Sequence, residues 1–289
     1  MRYDARGFSL LPKQPVSSLL SGRFASRLRG RGLLFEELRG YRPGDDIRTI
    51  DWKATARLRK TQIRVYTEER ERPVMLLVDQ RTNMLFGSAR TTKATAAVEL
   101  ASLAAWRALD AGDRVGAVIF GDHDVAEIRA QRSQSNVLKI LHQLVEHNKA
   151  IDIASLTEAE TSLNKPLSRM INLAKHDNLI VLITDFFGAN NETRQIVTRL
   201  AAKNDVLACL VYDPLGISFS GPSQLGVTDG RQNATVNPNA TFATNFKDAF
   251  MKRSKEIREV LTALRIPILP ICTHEPVVDQ VKYALGVQK

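Results

Sequence analysis

Two aspartates close two of the most apolar stretches in this chain. Asp79 ends Pro73-Val74-Met75-Leu76-Leu77-Val78, and Asp185 ends Leu179-Ile180-Val181-Leu182-Ile183-Thr184. Two carboxylates at strand ends could hold a divalent cation through hard oxygen ligands, or serve as acid and base in a hydrolysis. A second set, Asp45, Asp46 and Asp51, lies in a run crowded with cations. It too could hold a metal, but with Arg42, Arg48 and Lys53 interleaved, internal ion pairing is the expectation. Other chemistries lack their parts. There is no G-x-x-x-x-G-K-[ST], no G-x-S-x-G and no H-E-x-x-H, and Gly30-Arg31-Gly32 has no third glycine. His142 and His147 are five apart, off a shared helix face, and with Cys209 and Cys272 they do not make a zinc set. The two cysteines sit inside apolar strand-like runs and read as reduced core thiols.

The elements that must position Asp79 and Asp185 follow from their runs. A stretch apolar at consecutive positions has no wet face, so it reads as a strand buried on both sides. Parallel sheets place ligands beyond the carboxyl ends of such strands. After Asp79 the pattern alternates. Residues 91–111 are Ala-rich and helical, with Gly112 as a left-handed cap. Strands are expected at 114–120, 125–129 (a short edge strand), 206–212 and 266–272. The last tolerates Pro267 and Pro270 if it lies at an edge. Helices are expected at 137–145, 163–174, 192–202, 246–264 and 276–285. Residues 213–245, rich in Gly, Ser, Asn, Pro and Thr, read as a loop or hairpin insertion with short strands at 218–220 and 234–236. Alternation of this kind predicts an α/β domain over 73–289, with a mostly parallel sheet flanked by helices.

Composition is that of a soluble globular protein, with 44% apolar and 25% charged residues among 289. No apolar run approaches the roughly 18 residues of a membrane span. The N-terminus lacks the apolar core of a signal peptide, so a cytoplasmic location is expected. The net charge of +10 is uneven: residues 1–72 hold 17 Lys and Arg against 9 Asp and Glu, and the remainder 24 against 22. The first 72 residues therefore form a basic N-terminal arm. Such an arm suits nucleic acid, an anionic membrane surface or an acidic protein, or docks onto its own domain. Phe24 and Leu28 could share a helix face within it. Residues 62–68 alternate as a strand. The aromatics of the arm, Phe8, Phe24, Phe35, Tyr41, Trp52 and Tyr66, are widely spread, which makes no strong case for single-stranded nucleic acid. Peripheral membrane association stays open.

The stretches EELRGYRPGDDIRTIDWKATAR, VDQRTNMLFGS and LAAWRALDAGDRVGAVIFGD resemble the bacterial family called domain of unknown function 58. The resemblance covers nearly the whole chain. Its signature here is Tyr41, Arg42, Gly44, Asp45, Asp46, Arg48, Asp51 and Trp52. That family is similar to von Willebrand factor A domains, which implies a Rossmann-like sheet of order 3-2-1-4-5-6, with its switch point between the first and fourth strands. Its members are often encoded beside MoxR-type AAA+ ATPases and are thought to act with them in assembling or activating client proteins. The von Willebrand pattern also implies an adhesion-type metal site, D-x-S-x-S with a later Thr and Asp. Carried onto this chain, Asp79 matches the first Asp, Arg81 and Asn83 stand at the two Ser positions, Thr161 matches the Thr, and Asp185 the last Asp. Two hydroxyl ligands are lost, and Arg81 brings a fixed positive charge that opposes Mg²⁺.

The resulting expectation is a non-enzymatic interaction module, partner of a MoxR-type AAA+ ATPase, needing no cofactor. The alternatives are a metal-dependent hydrolase or nuclease using the strand-end aspartates, and nucleic-acid or membrane binding through the basic arm. Arg81 is expected to sit between the carboxylates of Asp79 and Asp185, which face one crevice, and to make the site cation-independent. Residues 33–72 are expected to pack on the main domain through Tyr41, Trp52 and the Asp45, Asp46 and Asp51 pairs with arginine.

Overall fold

The computed structural model describes residues 33–68, 73–151, 162–216, 225–228, 233–236 and 240–284. The chain divides into two compact units, one over residues 23–71 and a larger one that includes residues 72–289.

In the smaller unit, β1 (Leu33–Gly40) pairs antiparallel with β2 (Gln62–Glu68). Between them lie a 3-10 turn, Ile47–Thr49, and a short helix, α1 (Trp52–Leu58). Carboxylates start both. Asp46 accepts from Arg48 N at 2.9 Å, and Asp51 accepts from Ala54 N at 2.9 Å, each satisfying an N–H that helical geometry leaves unpaired. Asp51 also takes Arg64 Nε at 2.8 Å, which ties α1 to β2. Asp45 is held by two bonds from Arg39, at 2.8 and 2.9 Å. The expected ion-pair network is therefore present for Asp45 and Asp51. Trp52 is 71% exposed and Tyr41 38% exposed.

The larger unit is a six-stranded sheet. Its strands are β3 (Val74–Asp79), β4 (Val115–Phe120), β5 (Val125–Gln131), β6 (Leu179–Thr184), β7 (Asp205–Tyr212) and β10 (Ile268–Cys272). The spatial order is β10-β7-β6-β3-β4-β5, and β5 alone runs antiparallel. Numbered along the chain and read from β5, these six strands give the order 3-2-1-4-5-6, as the resemblance implies. The switch point falls between β3 and β6, where Val78 lies beside Ile183. A separate hairpin joins β8 (Leu225–Thr228) to β9 (Asn233–Val236).

Every residue of β3, β4 and β6 is buried, as unbroken apolar runs require. Alternate side chains serve opposite faces. Val74, Leu76 and Val78 share a core with Ala97, Ala101, Ala104 and Ala105 of α2 (Lys93–Asp110) and with Ile140 and Leu144 of α3 (Gln134–Ala150). Met75 and Leu77 point the other way, into a core with Leu167 and Met170 of α4 (Asn164–Leu173) and Ile196 and Val197 of α5 (Asn191–Lys203). Each such Leu or Ile contributes about 1.5–3 kcal/mol by leaving water. The alanines of α2 allow close approach to the sheet at little entropic cost. Gly112 ends α2 with φ of 84°, the left-handed cap expected of it.

Two long-range features differ from the sequence reading. α6 (Ala240–Ala263) begins six residues earlier than 246; Phe242 and Ala243, four and three residues before Phe246, continue the same apolar spacing. α3 likewise begins at Gln134, where the Ser133 side chain caps it. β10, which carries Pro270, is an edge strand, followed by α7 (Val277–Ala284). The expected helix at 24–28 and strand at 218–220 lie outside the described residues. Among the described residues, no helix is long and apolar enough to cross a membrane.

Candidate functional site at the strand ends

Asp79 is the last residue of β3, and Asp185 follows the last residue of the adjacent β6. Asp79 is fully buried, with four donors on its two oxygens. Arg81 supplies three: Nε to Oδ1 at 3.0 Å, Nη2 to Oδ2 at 2.6 Å, and its backbone N to Oδ1 at 3.1 Å. Thr184 Oγ1 donates to Oδ2 at 2.6 Å, bridging the two strand ends. This is a bidentate guanidinium–carboxylate pair, the strong geometry for such groups. Arg81 is 1% exposed, packs over the Phe120 ring at 5.4 Å, and donates from Nη2 to Phe187 O at 3.1 Å. Burial pulls the guanidinium pKa down, but the Asp79 charge and hydrogen bonds outweigh it, so the pKa ends raised.

Asp185 has a different cation. Lys93 Nζ lies 2.5 Å from its Oδ2, Asn83 Nδ2 donates to both oxygens at 2.9 and 3.0 Å, and Phe187 N donates to Oδ1 at 2.8 Å. Burial pushes this carboxyl up, yet Lys93 and these hydrogen bonds leave it below its ordinary value. Lys93 is the first residue of α2, where the helix dipole disfavours a positive charge. Asp185 offsets that cost. The loop before Lys93 is tightly folded: a Cβ on Gly87 would lie 2.2 Å from Thr91 O. The expected arrangement is thus corrected in two respects. Asp79 is buried rather than facing a crevice, and Arg81 ion-pairs with Asp79, while Lys93 ion-pairs with Asp185. Nothing near Lys93 in the sequence marks it for this task.

A third strand-end carboxylate was not anticipated. Asp213 follows β7 and accepts from Ser88 N at 2.8 Å, Ser88 Oγ at 2.5 Å, Thr273 Oγ1 at 2.6 Å and Leu215 N at 2.9 Å. Burial raises its pKa, but these donors together bring it below the usual carboxylate value. The signal was present, since β7 is another apolar run ending in Asp. His274 Nε2 lies 2.8 Å from Ser88 Oγ. The three residues do not form a hydrolytic triad. The Ser88 hydroxyl proton goes to Asp213, so the imidazole donates to Ser88 rather than receiving from it.

Mg²⁺ does not fit the strand-end residues as they stand. Both oxygens of Asp79 are committed to Arg81 and Thr184, and both of Asp185 to Asn83, Lys93 and Phe187 N. A buried guanidinium occupies the place of a hydroxyl ligand. Asn83 Oδ1 is buried without a hydrogen-bond partner, but one oxygen makes no cation cage. Thr161, the remaining expected ligand, lies outside the described residues. Among the described residues, no three His, Cys, Asp or Glu side chains are grouped to hold a metal ion. Beside β4, Thr82 donates to Asp122 Oδ2 through its backbone N at 2.9 Å and its hydroxyl at 2.6 Å, extending the same strand-end network.

A family model described as protein of unknown function DUF58 matches residues 37–260. The chain belongs to this family. The matched span takes in both the signature run and the strand-end site. Its relatives include the uncharacterized protein Rv1480 of Mycobacterium tuberculosis, 25% identical over 276 residues, covering 93% of this chain and 83% of the relative. The uncharacterized protein Mb1516 of Mycobacterium bovis is similar to the same extent, 25% over 276 residues. Among solved structures, the DUF58 chain is similar to the conserved hypothetical protein BatB from Bacteroides thetaiotaomicron, at 13% identity and a TM-score of 0.45, over 75% of this chain and 97% of that one. It is also similar to the SpRpn10 VWA domain, at 13% identity and a TM-score of 0.40, over 76% of this chain and 99% of that one. The strand order, rather than these likenesses, carries the assignment of the von Willebrand-like α/β architecture.

Proposed function

We propose that this DUF58 protein is a non-enzymatic protein-interaction module that partners a MoxR-type AAA+ ATPase acting on other proteins. One observation supports this above the rest. The strand-end carboxylates, which a hydrolase would need as base or metal ligands, are neutralised by Arg81 and Lys93 of the same chain. A general base needs a free lone pair within reach of a substrate proton. Asp79 is buried beneath Arg81 and offers none. What the same end of the sheet does present is aromatic surface: Phe86 and Phe187 are exposed, and the Arg253 guanidinium lies 4.7 Å from the Phe187 ring. Exposed aromatics beside cations suit protein contacts.

The test is direct binding between the purified chain and a MoxR-type ATPase from the same genome, by interferometry with ATP, with ADP and without nucleotide. Saturable, nucleotide-dependent binding is expected. Absence of binding in all three states refutes the partner. Phosphodiester or peptide turnover by the purified chain, abolished by Asp185→Asn, refutes the non-enzymatic reading.

A further inference from the structure

Residues 38–64 of the smaller unit contain eight Lys and Arg against three carboxylates. All three carboxylates are used within the unit. Asp45 holds Arg39 and Arg42 N, Asp46 caps the 3-10 turn, and Asp51 caps α1 and holds Arg64. Arg48, Lys53, Arg57, Arg59 and Lys60 remain, all exposed and with no carboxylate partner among the described residues, while Arg42, also exposed, lies in the field of Asp45. Trp52 stands among them, 71% exposed, with Ile47 close in sequence and 67% exposed. On α1, helical spacing puts Trp52 on one side with Lys53, Ala56 and Arg57, all exposed, while Ala54 and Thr55 turn inward.

An exposed tryptophan with Lys53 and Arg57 on the same side of its helix is an unusual surface to leave open. Tryptophan and arginine are among the types that dominate protein–protein binding energy, because each combines a large contact face with directional hydrogen bonding. Ion pairing of Asp45 with Arg39 and of Asp51 with Arg64 offsets two of the three negative charges, so cations outnumber the remaining carboxylate, Asp46, on this unit. We propose that this face docks a carboxylate-rich polypeptide surface, with Trp52 inserted as the apolar anchor and the unpaired cations around it engaging carboxylates. This rests on the interaction-module reading above and adds the face and the charge of the partner.

Two other anionic partners fit less well. Single-stranded nucleic acid wants successive stacking platforms, and α1 offers one ring. A membrane surface wants one continuous apolar face. Leu58 is exposed too, but six positions from Trp52 it lies about 240° round the helix. The large apolar side chains of α1 therefore do not share a face.

The chain has two tryptophans, and Trp106 is buried, so iodide quenching of fluorescence reports mainly Trp52. A Trp106→Phe variant isolates that signal, and anisotropy of a labelled Glu/Leu-repeat peptide on the unaltered chain provides an independent reading. In the free chain, iodide should quench Trp52 more than caesium does, because the surroundings are cationic. The peptide should protect Trp52, added salt should weaken its binding, and Trp52→Ala or Arg57→Glu should each weaken it about tenfold or more. Trp52 already shielded in the free chain overturns the proposal. So does protection of Trp52 by oligothymidylate or by phosphatidylserine vesicles but not by the peptide, or peptide binding indifferent to Trp52→Ala. ATPase binding that survives both substitutions refutes this face and leaves the module reading standing. Peptide binding through Trp52 without any ATPase binding supports the face and refutes the ATPase as partner.

Discussion

Replacing Arg81 tests the strand-end site most directly. Asp79 is fully buried, and among the described residues the Arg81 guanidinium, through its two bonds, is the compensating charge within hydrogen-bond reach. Removing one member of a buried ion pair costs about 3–5 kcal/mol, because the other charge is left uncompensated. Arg81→Met keeps the stem that packs over Phe120 and loses only the charge and its bonds, so it should cost about that much. The double variant Asp79→Asn/Arg81→Met should recover most of the loss, since no charge is then stranded. Arg81→Ser restores the hydroxyl of the adhesion-type pattern. It should lose as much stability, then regain part of it with Mg²⁺: a ligand at ten times its Kd stabilises by about 1.4 kcal/mol. Urea denaturation of the native chain, these three variants and Asp79→Ala, with Mg²⁺ and with EDTA, measures all of this. Two results would refute the reasoning. One is a loss below about 1 kcal/mol for Arg81→Met. The other is stabilisation of the native chain by Mg²⁺ that Asp79→Ala abolishes, which would mean an adhesion-type ion site survives beside Arg81.

Three further outcomes follow from the same geometry. Lys93→Met removes a charged hydrogen bond worth about 1.5–3 kcal/mol but recovers about 0.3–1 at the α2 N-terminus, so a net loss of about 0.5–2.7 kcal/mol is expected in urea unfolding. Asp185 and Asp213 both titrate below their ordinary 3.8 when folded. As pH falls past 3.8 the unfolded chain takes up protons first, so stability is held above that value and lost as pH drops through the lowered folded values. Asp213→Asn should make the acid limb shallower; an unchanged slope would show that Asp213 does not drive it. Burial pushes the Cys209 thiol up to about 12, so a disulfide reagent at mildly alkaline pH should leave Cys209 unmodified in the native chain and modify it only in denaturant.

The strand ends were legible because their signal is local. An unbroken apolar run means burial on both faces, and the residue that closes it must sit at the sheet rim. That reasoning placed Asp79 and Asp185 on neighbouring strands and gave the α/β sheet. It named Arg81, which does pair with Asp79, but not Lys93, the cation of Asp185. Lys93 is 92 positions from Asp185, and the pair exists only because α2 starts beside the end of β6. Asp213 shows the same limit: its run is as visible as the others, but its partners Ser88 and Thr273 lie 125 and 60 positions away. Trp52 is 71% exposed, which its residue type alone does not suggest. Its large apolar area argues for burial, and only the cations beside it, Lys53 and Arg57 on the same side of α1, point the other way.

An adhesion-type ion does two jobs: it neutralises the rim carboxylates and offers an open position to a partner's carboxylate. Here the first job belongs to Arg81 and Lys93, tethered at fixed local concentration and indifferent to the ionic supply. Their charges are spent on Asp79 and Asp185, so this rim is no longer equipped to capture a carboxylate through a metal. Cations with no carboxylate partner among the described residues, Lys53 and Arg57, occur instead beside Trp52 on α1. If carboxylate capture has moved there, its dependence on solution conditions changes in kind. Partner binding should be unaffected by EDTA or added Mg²⁺ at constant ionic strength, and should fall steeply with monovalent salt, because exposed charges are screened within about 10 Å at 0.1 M. Titrating partner against the chain across both series separates the cases. Binding lost with EDTA and insensitive to salt would place the working site back at Asp79 and Asp185.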